Sequence, residues 1–243
     1  MRFAFTTEQL EIRDAVRAVL AKECTPADLR AAYEAPGWRT DRWSTLAELG
    51  VLGMAVPEAR GGLGLGMVDV VVVLEEAGRV ALPEPLAATA ALAAPLLVDL
   101  EAADPGGDDR RRDWLEGMAA GREAAAVAAG SGPEPVAGAD GASLYVVLRP
   151  APNGDPGLWL VDADDADSTR ATAEPVPSLD PTRRLATVAT EGTPPDLVGD
   201  LAGRLARRTA LRGAVATAAE LVGLAERLVT LGADYARDRT QFE

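Results

Sequence analysis

The sequence predicts an α+β fold: an N-terminal helical domain, a small antiparallel β-domain, and one long C-terminal helix of an incomplete bundle. Three observations carry this expectation. Apolar residues recur at steps of three and four through residues 1–121. From Glu123 to Gly192 the pattern shortens to brief apolar or β-branched runs between Gly-, Pro- and Asp-rich turns. From about Ala202 to Glu243 the helical period returns without a break. The domain boundaries expected from these shifts are 1–121, 122–195 and 196–243.

The first helix opens at Thr6, a capping residue with Gln9 three positions on, the capping-box spacing. Ile12, Ala15, Val16, Val19 and Leu20 then line one face down to about Glu23. Thr25-Pro26 starts a second helix, with threonine as cap and proline in the first turn, where its missing N–H costs nothing. A third runs from Asp41 to Leu49 and closes at Gly50. Met67, Val70, Val71, Leu74, Ala77 and Gly78 mark a fourth. The run Val70 to Val73 also suits a buried strand, but Glu75-Glu76 and the spacing favour helix. Leu86 to Leu100 and Arg111 to Ala120 complete the helical region. Strands are expected at Ala124 to Ala129, Ser143 to Leu148, Leu158 to Val161 and Leu185 to Thr190.

The last segment places Leu205, Leu211, Val215, Leu221, Val222, Leu228 and Val229 at helical spacing, with Arg204, Arg207, Arg208, Glu220 and Arg227 among the wet positions. One small domain cannot bury such a stripe, so partner helices are expected. No glycine cap or proline stop closes it, so the helix reads as interrupted.

Composition excludes several functions. The net charge of −14 repels phosphate backbones and anionic lipid, so neither nucleic acid nor a membrane surface is an expected partner. The apolar run around Leu86 to Val98 is too short to span a bilayer. The N-terminus lacks the apolar core of a signal peptide, and Cys24 is alone, so a reducing cytoplasm is expected. The chain contains no histidine, which removes Ser-His and Cys-His nucleophile pairs, His-ligated zinc and histidine bases. Its five serines include none in a Gly-x-Ser-x-Gly setting.

Four motifs remain. Asp162-Ala163-Asp164-Asp165-Ala166-Asp167 lacks the glycine and distant glutamate of a calcium loop and reads as a solvated acidic loop. The glycines of Val56-Pro57-Glu58-Ala59-Arg60-Gly61-Gly62-Leu63-Gly64-Leu65-Gly66 follow a helix, not the strand a dinucleotide fingerprint needs, so tight turns explain them. Leu179-Asp180-Pro181-Thr182-Arg183-Arg184-Leu185 reads as an Asp-Pro turn with two solvated arginines. The fourth is Tyr235-Ala236-Arg237-Asp238-Arg239-Thr240-Gln241-Phe242 at the end of the long helix.

The last three motifs together resemble the acyl-CoA dehydrogenase family: its Pro-Glu-x-x-Gly-Gly-x-Gly loop, its Asp-x-Thr-Arg-type turn, and the Tyr-x-x-x-Arg-x-Gln-Phe helix opening its C-terminal bundle. The resemblance implies an oxidoreductase of lipid metabolism: a subunit or fragment associated with FAD-dependent α,β-desaturation of acyl-CoA thioesters. It implies FAD held by or shared with a neighbouring subunit, an acyl-CoA substrate, a homo- or hetero-oligomer, and electron-transfer flavoprotein as acceptor. By the same resemblance Arg239, Gln241 and Phe242 are cofactor-binding residues, reaching across a dimer interface to the neighbour's FAD. The alternative is a non-catalytic scaffold or partner subunit of a heteromeric dehydrogenase. Two departures accompany the matches. Residues 130–142 are too few for the family's flavin-ring loop, and its Gly-x-Lys strand is missing, since Lys22 is the only lysine. The resemblance places the catalytic glutamate in the later bundle, or in a minority of members at the position held here by Thr240, which cannot act as that base, so no catalytic residue is assigned.

Overall fold

The computed structural model describes residues 4–34, 37–130, 132, 134–163, 171–190 and 192–239. The helices are α1 (Thr7–Glu23), α2 (Pro26–Glu34), α3 (Thr40–Glu48), α4 (Met67–Arg79), α5 (Ala94–Ala103), α6 (Arg110–Ala119) and α7 (Asp200–Asp238). The capping box of α1 forms as its spacing requires: Thr6 accepts from Gln9 N–H at 3.2 Å, and Thr6 N–H donates to the Gln9 side chain at 2.9 Å. At α2, Asp28 accepts from both the backbone and the hydroxyl of Thr25. Gly50 turns left-handed after α3, at φ 74°. The helix reading of Val70–Val73 holds, because both faces of α4 are covered, by α1 and by α7.

One helical stretch differs from its expected form. Residues Ala87–Ala93, leading directly into α5, are π-helical, with wider turns than the sequence pattern indicates. Thr89 is buried there, and its hydroxyl accepts from Ala125 N–H at 3.0 Å, tying the π segment to the first strand.

The strands are β1 (Ala125–Ala129), β2 (Pro135–Val136), β3 (Leu144–Pro150), β4 (Pro156–Asp162), β5 (Thr172–Pro175), β6 (Ala186–Ala189) and β7 (Leu197–Val198). They form two sheets, ordered β1-β3-β4-β7 and β2-β6-β5. The pairings are antiparallel with one exception: β1 runs parallel to β3, Ala125 opposite Leu144 through Ala129 opposite Leu148. Both faces of the larger sheet are buried, and the period of two divides its side chains. Leu144, Val146, Leu148, Leu158 and Leu160 pack against α5, α6 and the start of α7. Tyr145, Val147, Trp159 and Val161 pack instead toward Ala186 and Val188 of the smaller sheet.

A helix of 39 residues, α7 runs about 58 Å. Its contact side is made of small residues rather than the large apolar ones the pattern emphasises. Ala216, Ala219 and Gly223 are buried against α4, whereas Leu211, Val215, Leu221, Val222, Leu228 and Val229 are exposed. The crossing is close enough that a Cβ on Gly223 would lie 1.7 Å from Glu75 O, and one on Gly78 would lie 2.0 Å from Glu220 O. Two glycines, one on each helix, therefore set the separation of α4 and α7.

Below this crossing lies a buried ion pair. Arg42 of α3 makes a bidentate contact with Glu84, at 2.9 and 2.7 Å, with both side chains excluded from solvent. Arg42 also donates to Glu23 O at 2.7 Å, and Arg39 N–H donates to Glu84 at 3.1 Å, so every side-chain nitrogen and oxygen of the pair has a partner.

Candidate functional site

The free edge of β1 faces the π segment and the middle of α7 across a cavity of about 270 Å³. Ala87, Ala88 and Leu92 give it an apolar wall, and the π turns of Ala87–Ala93 position them. Ala216, Thr217 and Glu220, successive turns of one face of α7, close the opposite side. Arg149 of β3, Arg183 and Glu134 complete the lining. A second cavity, of about 230 Å³, meets the first at Arg183, Thr217 and Glu220.

The electrostatics of this place are specific. Burial lowers the pKa of the Arg149 guanidinium, whose Nη2 donates to Val188 O at 2.8 Å. Burial also raises the pKa of the Glu220 carboxyl, with the charge of Arg183 acting in the opposite sense. Among the described residues no donor lies within hydrogen-bonding distance of Glu220. The sequence pattern reads Glu220 as part of the solvated face of its helix, and the structure corrects this by placing it, partly buried, in the lining of both cavities.

Arg183 reaches the cavity from the Asp-Pro turn. Asp180 caps the short 3₁₀ turn Pro181–Arg183, accepting from Thr182 N–H at 3.0 Å and from its hydroxyl at 2.6 Å. The expectation of two solvated arginines holds for Arg183 alone. Arg184, at φ 45°, lies over the Trp38 ring at 5.2 Å and pairs with Asp140 at 3.2 Å. A planar guanidinium can satisfy a ring face and a carboxylate together.

The glycine loop serves structure. Leu63, Gly64 and Leu65 donate backbone hydrogen bonds to Gly53, Val56 and Met54, and a Cβ on Gly62 would lie 2.1 Å from Val56 O. The loop is folded onto its own preceding segment, which leaves no cradle for a phosphate.

Arg239 terminates α7, with its guanidinium over the Tyr235 ring at 5.2 Å. It lies 19 residues beyond Glu220, about 28 Å along the helix, so it does not reach the cavity beside β1. Gln241 and Phe242, the other expected cofactor-binding residues, lie outside the described residues, as do Asp164, Asp165 and Asp167 of the acidic loop. Among the described residues no group of acidic or cysteine side chains could hold a metal ion. Nor is any helix long and apolar enough to cross a membrane. Cys24 is buried, and burial pushes its thiol up to about 11.

A helical N-terminal layer, a small two-sheet unit and a long helix closing a cavity between them define the acyl-CoA dehydrogenase fold. The same arrangement is found in the ChsE4-ChsE5 complex from Mycobacterium tuberculosis, with TM-score 0.83 and 22% identity, over all of this chain and 70% of that one. The chain is similar to the acyl-CoA dehydrogenase family. Its residues 6–122 match that family's N-terminal domain. It is 33% identical to the acyl-CoA dehydrogenase IpdE2 of Mycobacterium tuberculosis, over 97% of this chain and 65% of the relative. It also resembles a variant of the Tcur3481-Tcur3483 steroid ACAD, with 28% identity and TM-score 0.77, over 97% of this chain and 68% of that one. The chain thus spans about 65% of the length of the curated dehydrogenase it matches.

Proposed function

We propose that this chain is a subunit of a cytoplasmic, FAD-dependent acyl-CoA dehydrogenase that takes part in α,β-desaturation of acyl-CoA thioesters. The FAD is held by a neighbouring subunit, and electron-transfer flavoprotein is the acceptor. The observation that carries this reading is α7, whose exposed apolar side chains call for a partner and whose end carries Arg239 about 28 Å from the cavity beside β1.

The cavity beside β1 does not fit the whole cofactor. Even drug-sized ligands fill roughly 300–1,000 Å³, and a dinucleotide is larger than the space of about 270 Å³ beside β1. Glu134 and Glu220 would also face its pyrophosphate with like charge. Arg239 is the better match, since a guanidinium presents fixed donors to pyrophosphate oxygens. Gln241 and Phe242 follow it, and the aromatic ring would cover an apolar part of the cofactor. FAD, when bound in the assembled enzyme, supplies the acceptor for the hydride leaving the thioester's β-carbon. Solved relatives named as pairs, ChsE4-ChsE5 and Tcur3481-Tcur3483, support assembly with a second, different subunit.

A second reading, a non-catalytic partner subunit that keeps the scaffold, is favoured by the two carboxylates in so small a cavity. The two are separated by visible flavin absorbance, measured on the purified chain alone and after mixing with a paralogous subunit. Flavin retained only in the mixture, and lost when the chain carries Arg239→Ala, supports the first reading. Retention unaffected by R239A supports the second.

A further inference from the structure

Glu220 leaves α7 where that helix crosses α4. Its carbonyl oxygen faces Gly78 so closely that a Cβ there would sit 2.0 Å away, so the backbone bearing this side chain is clamped against α4. The side chain lines both cavities at the place where they meet. The cavity beside β1 is lined by apolar Ala87, Leu92 and Ala216 and by polar Glu134, Arg149, Arg183 and Thr217. Among the described residues none donates to Glu220, and Arg183 acts on it through charge without a hydrogen bond. No protein group donates to this partly buried carboxylate, so water supplies its hydrogen bonds until a ligand entering the cavity takes that place.

We infer that Glu220 determines the polarity of the ligand this cavity accepts: at its α7 wall the cavity takes a group that donates a hydrogen bond, such as a hydroxyl, and rejects the end of an unbroken hydrocarbon chain. The inference rests on the proposal that the chain belongs to an enzyme handling acyl thioesters, and adds the chemical character of the acyl group. A plain hydrocarbon end pressed against this wall strips water from the carboxylate and returns nothing. A hydroxyl replaces that water with a charge-assisted hydrogen bond, which is stronger than a neutral one.

The test is calorimetric titration of the full chain with two matched probes, octanoyl-CoA and its terminally hydroxylated analogue. Wild type is expected to bind the hydroxylated thioester about tenfold more tightly. Glu220→Leu reverses the order, by removing the acceptor and completing the apolar wall. Glu220→Gln, which keeps an accepting oxygen of the same shape but no charge, retains a weakened preference and carries the test should the leucine variant not fold. Equal binding of both probes by wild type, or a preference unchanged in either variant, overturns the role of Glu220 while leaving the acyl-CoA reading in place. Binding of neither probe overturns both.

Discussion

Alanine ordinarily stabilises a helix relative to glycine by roughly 0.5–1 kcal/mol. In α7 the two glycines Gly223 and Gly232 should give opposite signs. Gly232 lies in a solvent-exposed turn, and a Cβ built there meets nothing within 4 Å. Gly232→Ala should therefore raise stability by about 0.5–1 kcal/mol. Gly223 is buried in the crossing, and its added Cβ would lie 1.7 Å from Glu75 O, 2.7 Å from Glu75 C and 2.8 Å from Arg79 N, all backbone atoms. No side chain can rotate away to make room. The helices must part by more than an ångström, which loosens the contacts of Ala216 and Ala219 against α4. Overpacking a core costs about 1–3 kcal/mol and more where backbone must move, so Gly223→Ala should lose about 3 kcal/mol. Urea unfolding followed by far-ultraviolet circular dichroism measures both variants against wild type. A Gly223→Ala protein as stable as Gly232→Ala would show that α4 and α7 are not in backbone contact, and the account of the fold's centre would fail.

Other consequences follow from single side chains. Removing one member of the buried Arg42–Glu84 pair, by Arg42→Ala or Glu84→Ala, should cost about 3–5 kcal/mol in the same denaturation assay. The double variant Arg42→Met with Glu84→Leu should lose markedly less than the two single losses added together. Cys24, with its thiol near 11, should resist alkylation in the native chain at mildly alkaline pH and react promptly in denaturant; equal rates in the two states would place it at the surface. Glu220 and Glu75 both have carboxyl pKa values raised by burial, so the folded chain holds their protons to higher pH than the unfolded chain does. Their contribution therefore favours folding at acid pH and is lost as pH rises through the carboxylate range. Glu220→Gln should melt at a higher temperature than wild type near neutrality, and the difference should shrink on acidification. A constant difference across the titration would refute the desolvation of Glu220.

Local chemistry determined much of this protein directly. A capping hydroxyl with its partner three residues on, a proline in a first turn, a glycine at a helix end and a three-to-four spacing act within a few residues. The limits of α1, α3 and α6, and the start of α2, accordingly lie within a residue or two of those the sequence indicates. The three motifs that carry the family resemblance are also local. What the chain alone left open depends on residues far apart in sequence. The two-residue strands β2 and β7 exist only because β6 and β4 pair with them, and the parallel register of β1 on β3 is fixed by packing on both sheet faces. The period of α7 cannot say which of its several apolar stripes meets α4. The answer, Ala216, Ala219 and Gly223 instead of the leucines and valines, follows from how closely two backbones can approach. Glu220 reads in sequence as one more solvated charge. Only the assembly of the π segment, the edge of β1 and the α4–α7 crossing around it turns that charge into the wall of a cavity, because desolvation is a property of surroundings and not of a residue.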